Sequence, residues 1–473
     1  MAEHKKYLEF GGKIIMLGCG SIGQGTLPLL LRHLDIRPDQ IEIVTDDQRG
    51  IEVASEYDVP FHAVEITRDN YQSELGGRLK EGDFLLNVSV DVSSVALIEM
   101  CQAKGVSYLD TCIEPWPGGY TDLSLTPSQR SNYALRETAL ALKKKYPGGP
   151  TSVITHGANP GLVTHFIKEA LLHIARDTGH STAIPADRAG WAGLMRDLGV
   201  KVIHVAERDT QVAANRPKDV GEFVNTWSID GFVSEGCQPA ELGWGTHEKT
   251  FPGDGGKHDF GSGAAIYLNR PGAGTRVRTW TPLEGPFHGF LVTHSESIST
   301  ADFFTVFEGG KAVFRPTVHY AYHPCDDAVL SLHEIAGKNW VQQDRQRLMM
   351  EEITSGIDEL GVLLMGHGNT AYWYGSRLDI HEARRLAPHN NATSLQVTAP
   401  AMAGLIWALE NPGRGVVEPE ELDHQRILEI TRPYLGPVVG EYSDWTPLKG
   451  RSQLFPEATD ESDPWQFINF RVF

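Results

Sequence analysis

Cysteine is scarce in this chain, and its few cysteines are not arranged in pairs. Five cysteines occur among 473 residues, and no two of them form a C-x-x-C pair. An odd number of scattered thiols argues against a disulfide framework and against a structural zinc site. We therefore expect a reduced compartment and a cytoplasmic protein.

Long hydrophobic runs are lacking near the N-terminus, and positive charge is in deficit. The apolar run there, Ile14 to Leu17, is far too short for a signal-peptide core or a membrane span. Lysine and arginine number 42 against 61 acidic residues, which gives a formal net charge of −19. Because such acidity does not attract phosphates or anionic lipid, we expect no nucleic-acid and no membrane partner. The negative field attracts cations, although net acidity can also serve solubility alone.

Signatures of hydrolases and metalloenzymes are missing as well. The chain contains no G-x-S-x-G elbow, and His381-Glu382 lacks the second histidine of a zinc protease. The glycine-rich segment from Met365 to Asn369 does not follow the P-loop pattern. We therefore expect no metal site.

Short apolar runs alternate with helical patterns from residue 13 to about residue 155. This alternation predicts an α/β fold with a doubly wound, mostly parallel Rossmann sheet. Beyond Asn159-Pro160-Gly161 the pattern changes to short strands with many glycines and tryptophans, which indicates an α+β domain. There we predict that 300–307 and 312–315 form an antiparallel pair. The predicted divisions are 1–155, 156–435 and an irregular, aromatic-rich tail at 436–473.

A glycine-rich turn follows the first strand and opens a helix, as a dinucleotide fingerprint requires. It reads Gly18-Cys19-Gly20-Ser21-Ile22-Gly23. Its glycines permit a tight turn, close approach of a pyrophosphate and close packing of helix on strand. A turn of this kind without any ligand is the alternative interpretation.

An acidic residue ends the second predicted strand, about 20 residues beyond the glycine turn, where an acid contacts the ribose 2′-hydroxyl. That residue is Asp46, and Asp47 follows it. A carboxylate repels a 2′-phosphate, which favours NAD over NADP, although the nearby Arg49 leaves NADP open.

Polar side chains follow three further strands of the predicted sheet. Ligands of such folds bind beyond the carboxyl ends of the strands, so these side chains predict a lined cleft. Each of them alone could instead be a helix cap or a loop hydrogen-bonding group. The residues are Asn87, Ser89 and Asp91 after one strand, Thr111 and Glu114 after the next, and Asn159 with Pro160 after the third.

Six longer motifs, spread over nearly the whole chain, carry a family resemblance. They are GCGSIGQGTLP at 18–28, NVSVD at 87–91, YLDTCIEPW at 108–116, HGANPG at 156–161, NTWSIDGFVSEG at 225–236 and PAELGWGTHE at 239–248. The chain resembles the saccharopine dehydrogenase-like superfamily, and these motifs resemble its bacterial homospermidine synthase branch. The segment 225–236 is the most specific of them.

The resemblance implies an enzyme that joins two putrescine molecules, or putrescine with spermidine, into homospermidine. Tightly bound, recycled NAD takes a hydride from one amine and returns it after a second amine has displaced ammonia. It implies a homodimer whose second domain, 156–435, holds the substrate and the dimer contact.

Particular residues acquire roles through the resemblance. Trp227 is the aromatic beside the reacting cationic carbon, Glu207 and Glu235 are substrate carboxylates, and His294 transfers protons or orients substrate. Their alternatives are a core tryptophan, solvated acids and a structural histidine. Asp91, Glu114 and Asn159 surround the amines, with Glu114 and Asn159 also catalytic. The expected cofactor contacts are Gly18, Gly20, Ser21, Ile22, Gly23, Asp46, Asn87, Ser89, Thr111, Asn159 and Pro160.

Two other functions stay open from the sequence. One is a carboxynorspermidine or saccharopine type of NAD(P) oxidoreductase, whose carboxylate-bearing substrates need cationic anchors. The other is a non-catalytic redox sensor that binds NAD. The predicted site is rich in Glu and Asp and poor in Lys and Arg, which favours a purely cationic substrate.

Overall fold

The first part of the chain alternates strands and helices in the computed structural model, which describes residues 4–451 and 454–473. The strands are β1 Leu8–Glu9, β2 Ile14–Leu17, β3 Leu34–Asp35, β4 Ile41–Thr45, β5 Phe61–Ala63, β6 Phe84–Asn87, β7 Ser107–Asp110 and β8 Ser152–Val153. The helices are α1 Ser21–His33, α2 Ile51–Glu56, α3 Tyr71–Glu74, α4 Ser94–Lys104 and α5 Asn132–Lys145.

The remaining elements are mostly strands, with helices between them. The helices are α6 Leu162–Asp177, α7 Arg188–Leu198, α8 Ile229–Cys237, α9 Ser295–Phe303, α10 Asp326–Gly337, α11 Ile380–Leu386, α12 Ala392–Glu410, α13 His424–Thr431 and α14 Phe467–Phe470. The strands are β9 Val202–Asp209, β10 Glu222–Asn225, β11 Pro239–Gly243, β12 Gly255–Lys257, β13 Ala265–Pro271, β14 Arg276–Thr281, β15 Gly285–Phe290, β16 Val306–Glu308, β17 Lys311–Phe314, β18 Thr317–His323, β19 Arg345–Leu348, β20 Ile357–Met365, β21 Ala371–Asp379, β22 Val416–Val417, β23 Val438–Ser443 and β24 Arg471–Val472.

A parallel sheet forms the core of the first domain, in the order β22-β8-β7-β6-β2-β4-β5. Its central strands β2 and β6 are buried along their whole length. This burial explains their continuous apolar sequence, since helices cover both faces of a parallel sheet. The predicted α/β class, with a doubly wound Rossmann domain, is confirmed.

The first domain does not end at residue 155, because a later segment returns to complete it. Strand β22 pairs in parallel with β8 at the edge of the sheet. Helix α12 packs against α1 and β7, and its side chains join Leu30 and Leu109 in one apolar core. The predicted linear boundary therefore needs correction. Pairing with β22 protects the backbone groups of β8, and this long-range pairing leaves no local trace in sequence.

Helix α12 is the described helix that is long and apolar enough to cross a membrane. However, 89% of its apolar window is buried inside the protein. A helix that is apolar all round and enclosed by protein is a core helix, which explains its composition.

An eleven-stranded, mostly antiparallel sheet forms the second domain, along the path β12-β13-β11-β18-β9-β20-β21-β23. The parallel contact of β18 with β9 aligns Tyr322 with Glu207. The sheet places the acidic strand ends of β9 and β20 beside the first domain's cleft.

The predicted irregular tail at 436–473 also needs correction. Strand β23 pairs with β21 over six residues, and β24 pairs with β14. Four tail aromatics lie in the core beneath the large sheet: Trp445, Trp465, Phe467 and Phe470. Their positions in the sequence follow contact with that sheet and have no helical or strand periodicity. Hydrophobic periodicity therefore could not predict that they are buried.

The predicted pair of 300–307 with 312–315 is partly wrong. Residues up to Phe303 continue helix α9, whose N-cap is His294. The hairpin is only β16 with β17, around the predicted glycine turn. Tertiary burial of every residue of α9 overrides the weak helical preference of its serines and threonines.

Candidate active site

The glycine turn forms one wall of a long groove of about 640 Å³ at the carboxyl ends of β2, β4 and β6. Gly18 has a φ of +93°, and a Cβ on it would lie 2.8 Å from the carbonyl oxygen of Val88. A Cβ on Gly20 would meet nothing within 4 Å, so the backbone there is open to a ligand. At Gly23 a Cβ would lie 2.7 Å from the Gly18 oxygen, so this glycine serves packing of helix on strand. The turn therefore fits a dinucleotide.

Asp46 lines this groove beyond the end of β4. Asp47 binds Arg49 twice, accepting from the backbone N–H of Arg49 at 2.7 Å and from its guanidinium. Arg49 is therefore paired with Asp47, and of the two acids Asp46 is the one that lines the groove.

Asp91, predicted among the substrate residues, lines the nucleotide groove. It follows β6 and has a left-handed φ of 61°. Burial, together with Asp230 and Asp46, raises the pKa of its carboxyl. The carboxyl of Asp91 therefore carries a proton more readily than an isolated, fully solvated carboxyl does.

A second cavity, here called the acidic cavity, is defined by Glu114, Glu207 and Glu235 and has a volume of about 110 Å³. These carboxyl groups are between 2% and 7% exposed. The acidic cavity and the nucleotide groove share the lining residues Ile22, Val88, Ser89, Val90 and Ser228. A ligand in the cavity therefore lies directly beside one end of the groove.

His294 is held between two carboxylates in the acidic cavity. Its Nε2 lies 2.9 Å from Oε2 of Glu235, and its Nδ1 lies 3.3 Å from Oε1 of Glu296. Burial opposes the charged imidazolium, yet these two carboxylates hold the pKa of His294 well above its usual range. The side chain is therefore an imidazolium with one proton directed at Glu235.

Glu114 follows β7 and is 4% exposed. Burial, with the nearby Glu235 and Asp91, raises the pKa of its carboxyl to about 8. The thiol sulfur of Cys112 lies 3.7 Å from Oε1 of Glu114 and 3.6 Å from Oε1 of Glu235. Burial raises the pKa of this thiol, so it stays protonated and its one proton is shared between the two acids.

Glu207 lies near the end of β9, opposite a buried tyrosine on β18. Tyr320 donates its hydroxyl proton to Oε2 of Glu207 at 2.5 Å. Burial raises the pKa of Glu207 to about 8, and Asp209 adds to the shift while the Tyr320 bond opposes it. Behind it, both carboxyl oxygens of Asp358 lack a hydrogen-bond partner, and burial raises the pKa of Asp358 well above its usual range.

Trp227 lies in the segment that links β10 to α8, and its ring is oriented by a tyrosine. Its Nε1–H donates to the hydroxyl of Tyr322 at 3.1 Å. Tyr322 stacks on Tyr320 with 5.0 Å between ring centroids and 8° between planes. Helix α8, capped by Ser228, then brings Glu235 into the same cavity. An aromatic face and buried carboxylates together suit an organic cation.

Most of the predicted residues line one of the two spaces, and several line both. The acidic cavity contains Ile22, Ser89, Thr111, Glu114, Asn159, Pro160, Glu207, Trp227, Glu235 and His294. The groove contains Gly18, Gly20, Ser21, Ile22, Asp46, Ser89 and Asp91. Gly23 and Asn87 line neither space; Asn87 instead accepts hydrogen bonds from Ser89 and donates to Tyr108.

Sequence reasoning missed several residues of the cavity. Cys112 lies inside the motif at 108–116 and was available for selection there, whereas Glu296, two positions after His294, lies in none of the six motifs. Tyr320, Thr393 and Gln396 had no local signal, because sheet pairing and α12 bring them to the cavity. Within 4–451 and 454–473, no group of three or more His, Cys, Asp or Glu side chains is arranged to hold a metal ion.

Two domain families match nearly the whole chain. Residues 14–153 match the saccharopine dehydrogenase NADP binding domain, and residues 157–443 match the saccharopine dehydrogenase C-terminal domain. The apo saccharopine dehydrogenase (L-Glu forming) of Saccharomyces cerevisiae shares this fold, with a TM-score of 0.51 at 10% identity over 92% of this chain and 100% of that chain.

Full-length relatives are considerably more similar in sequence to this chain. The homospermidine synthase of Blastochloris viridis is 54% identical over 476 residues and 100% of both chains. That of Mesorhizobium japonicum is 51% identical over 98% of this chain and 97% of its own. The crystal structure of the Legionella pneumophila homospermidine synthase in complex with NAD has a TM-score of 0.92 at 52% identity, covering 99% of each chain. This chain therefore belongs to the homospermidine synthase family, within the proteins built from saccharopine dehydrogenase domains.

Proposed function

We propose that this chain is an NAD-dependent homospermidine synthase. It joins two putrescine molecules with release of ammonia, or transfers the aminobutyl group of spermidine to putrescine. The observation that carries this proposal is the acidic cavity, which holds three buried carboxyls, an imidazolium and Trp227 and opens onto the nucleotide groove. Few ligands other than a small organic polycation suit such a cavity, because buried carboxyls need cationic partners.

The groove favours NAD over NADP. Asp46 lines the ribose position, and a carboxylate there accepts from a 2′-hydroxyl but repels a 2′-phosphate. Arg49, which could bind such a phosphate, is engaged by Asp47. When bound, NAD accepts a hydride from the carbon that bears the reacting amine and later returns it to a carbon–nitrogen double bond.

The side chains of this chain bind the diamine and move its protons. Glu207, oriented by Tyr320, attracts one ammonium group, and Glu235 with Glu114 attracts the other. Trp227 places its ring against the cationic carbon–nitrogen group. The pKa of Glu114 is about 8 without a diamine and falls when the dication binds, so Glu114 can both accept and return a proton as a general acid–base requires.

The two alternative functions fit the cavity less well. Substrates of the carboxynorspermidine or saccharopine type carry carboxylates, which require Arg or Lys anchors. No lysine or arginine belongs to the cavity lining formed by the described residues. A redox sensor that only binds NAD gains nothing from buried acids beside the groove, and these acids cost stability.

We further propose that the protein is a cytoplasmic homodimer. A cytoplasmic location is supported by the five free cysteines of the protein. The dimer is supported by the family resemblance, and light scattering of the purified chain tests it.

The purified protein, supplied with putrescine and NAD, is expected to form homospermidine without stoichiometric accumulation of NADH. The hydride taken from one amine is returned within the same cycle, so no net reduction remains. Mass spectrometry identifies the product, and absorbance follows NADH. Net NADH production would instead indicate an ordinary dehydrogenase, and absence of turnover would indicate a sensor.

Putrescine binding is expected to release protons and to weaken as the pH falls below about 8. Without a bound cation, burial raises the pKa values of Glu114 and Glu207 to about 8. The diamine is a dication at this pH, because alkylammonium pKa values lie near 10. It favours the ionised carboxylates, so binding lowers both pKa values and expels the bound protons. For each carboxyl that must ionise, affinity falls about fivefold from about pH 8 to about pH 7.

Calorimetry in two buffers of different ionisation enthalpy measures these protons. The Glu207→Gln variant removes one of the two groups and should release fewer protons. The matched change Glu308→Gln, on an exposed hairpin strand, should leave the number unchanged. Equal proton release by Glu207→Gln and the parent would contradict the assignment of Glu207.

A further inference from the structure

The second domain supplies part of the lining of the nucleotide groove, here called the wall. Ser228, Ile229 and Asp230 come from the start of α8, and Gln346 and Leu348 come from β19. They line the groove together with the glycine turn, Asp46 and Asp91 of the first domain. A dinucleotide in the groove therefore touches both domains and is covered along part of its length.

Strand alternation explains why two residues of β19 face the groove. Side chains two positions apart point to the same face, so Gln346 and Leu348 share one face and Arg347 the other. Arg347 is 5% exposed and binds Glu222 at 3.2 Å and Glu352 at 3.3 Å. This buried arginine anchors β19 to the body of the second domain.

The base of the wall is tied to the pyrophosphate-binding side of the groove through two asparagines. The Asn391 amide donates to the carbonyl oxygens of Thr226 at 2.6 Å and Met349 at 3.0 Å, at the ends of β10 and β19. The Asn390 amide donates to the carbonyl oxygen of Gly25 in α1 at 3.2 Å. The base of the wall and helix α1 are therefore held in one fixed arrangement.

At the rim of the wall, the described residues form one side-chain hydrogen bond between β19 and α8. The Gln346 amide donates from Nε2 to Oδ1 of Asp230 at 2.6 Å, which joins β19 to the start of α8. Unlike the buried ties at the base, this bond is exposed, so it can open without disturbing the core. Because backbone pairing with β10 holds β19 in the wall, opening of this bond frees the start of α8 and leaves the strand in place.

We propose that the Gln346–Asp230 bond is a latch that sets how long the dinucleotide stays in the groove. The inference rests on the proposed NAD-dependent function and names the residues that retain the cofactor through the cycle. Gln346 is a positioning residue, because it acts by holding the wall in place and takes no part in bond making.

Retention has a chemical consequence for the reaction. Removal of hydride and a proton from the amine leaves an imine, and the hydride must still be present when the new imine is reduced. If NADH leaves first, water adds to the imine and ammonia departs, which yields an aminoaldehyde. Each such event releases one NADH and one aminoaldehyde in place of homospermidine.

The test compares Gln346→Ala and Gln346→Leu with the parent, each purified with its bound nucleotide. Exchange of that nucleotide against isotopically labelled NAD is expected to be about tenfold faster in both variants. Tenfold corresponds to about 1.4 kcal/mol, the size of a hydrogen bond to a charged acceptor. Both variants should also release NADH and aminoaldehyde during turnover. The control is Gln425→Ala, at an exposed position of α13.

Two results would overturn the latch. The first is nucleotide exchange in both Gln346 variants at the rate of the parent and of Gln425→Ala. The second is faster exchange that is matched by an equal loss of thermal stability, which indicates general loosening. A parent protein that contains and binds no nucleotide would instead remove the proposed function, and this outcome is visible before any variant is made.

Discussion

Replacing Glu235 by glutamine is expected to lower kcat/KM for putrescine about 100-fold while the protein keeps its nucleotide. Glu235 is 7% exposed and accepts a hydrogen bond from the imidazolium of His294 at 2.9 Å. The substitution removes a buried charge that both His294 and an ammonium group require. Loss of one partner from a buried charge pair costs about 3 kcal/mol, which corresponds to about 100-fold in rate.

The same substitution should shift the pH profile of the reaction. Glu235 is one of two carboxylates that hold the pKa of His294 above its usual range, and burial opposes them. Without Glu235 the pKa of His294 falls, so the imidazolium loses its proton at a lower pH than in the parent. The step in the pH profile that belongs to His294 therefore moves to lower pH.

Steady-state kinetics and nucleotide content of the purified variant check both expectations. Glu308→Gln, an amide change of the same size at an exposed position, is the matched control. Parent-like kcat/KM in Glu235→Gln would show that the diamine site lies elsewhere.

The Trp227→Ala variant is expected to lose about 30-fold in kcat with little change in nucleotide retention. An aromatic ring stabilises a desolvated cation by about 2 kcal/mol, which corresponds to about 30-fold in rate. Trp227→Phe keeps a ring but loses the Nε1–H bond to Tyr322, so it should recover only part of the activity. The effect should fall on kcat, because the cationic carbon–nitrogen group forms only after the diamine has bound.

Measuring how much nucleotide each variant retains separates a catalytic role of Trp227 from a structural one. Trp227 directly precedes Ser228, which lines the nucleotide groove, so a structural role would loosen both sites. Nucleotide content and thermal stability are measured beside kcat for each variant. Equal loss of nucleotide and of turnover would indicate that the ring mainly supports the segment between β10 and α8.

Local sequence patterns predicted where the glycine turn and Asp46 lie in the first domain. The glycine turn lies where strand β2 changes to helix α1, and Gly23 is required by a contact with the oxygen of Gly18, five positions away. Asp46 directly follows β4, the strand after the glycine turn and helix α1 that pairs with β2, so its place is also set by local sequence order. The Trp227 segment was found by its likeness to a family, since a polar loop with one tryptophan has no periodicity.

The residues that sequence reasoning missed are held by long-range pairing. Tyr320 reaches Glu207 only because β18 lies in parallel beside β9, more than a hundred positions away in the chain. Gln396 reaches the cavity because α12 returns to the first domain. Neither contact produces a periodic pattern or a characteristic spacing in the sequence, so local sequence analysis cannot predict it.

The return of α12 and β22 also sets an order of events during protein synthesis. When residues 1–155 have left the ribosome, the nucleotide-binding sheet still has an open edge at β8 and an uncovered apolar face. Both are closed by residues 392–417, which are translated near the end of the chain. Nascent chains therefore expose an unpaired strand edge and apolar surface, which favour aggregation, until these residues have been synthesised.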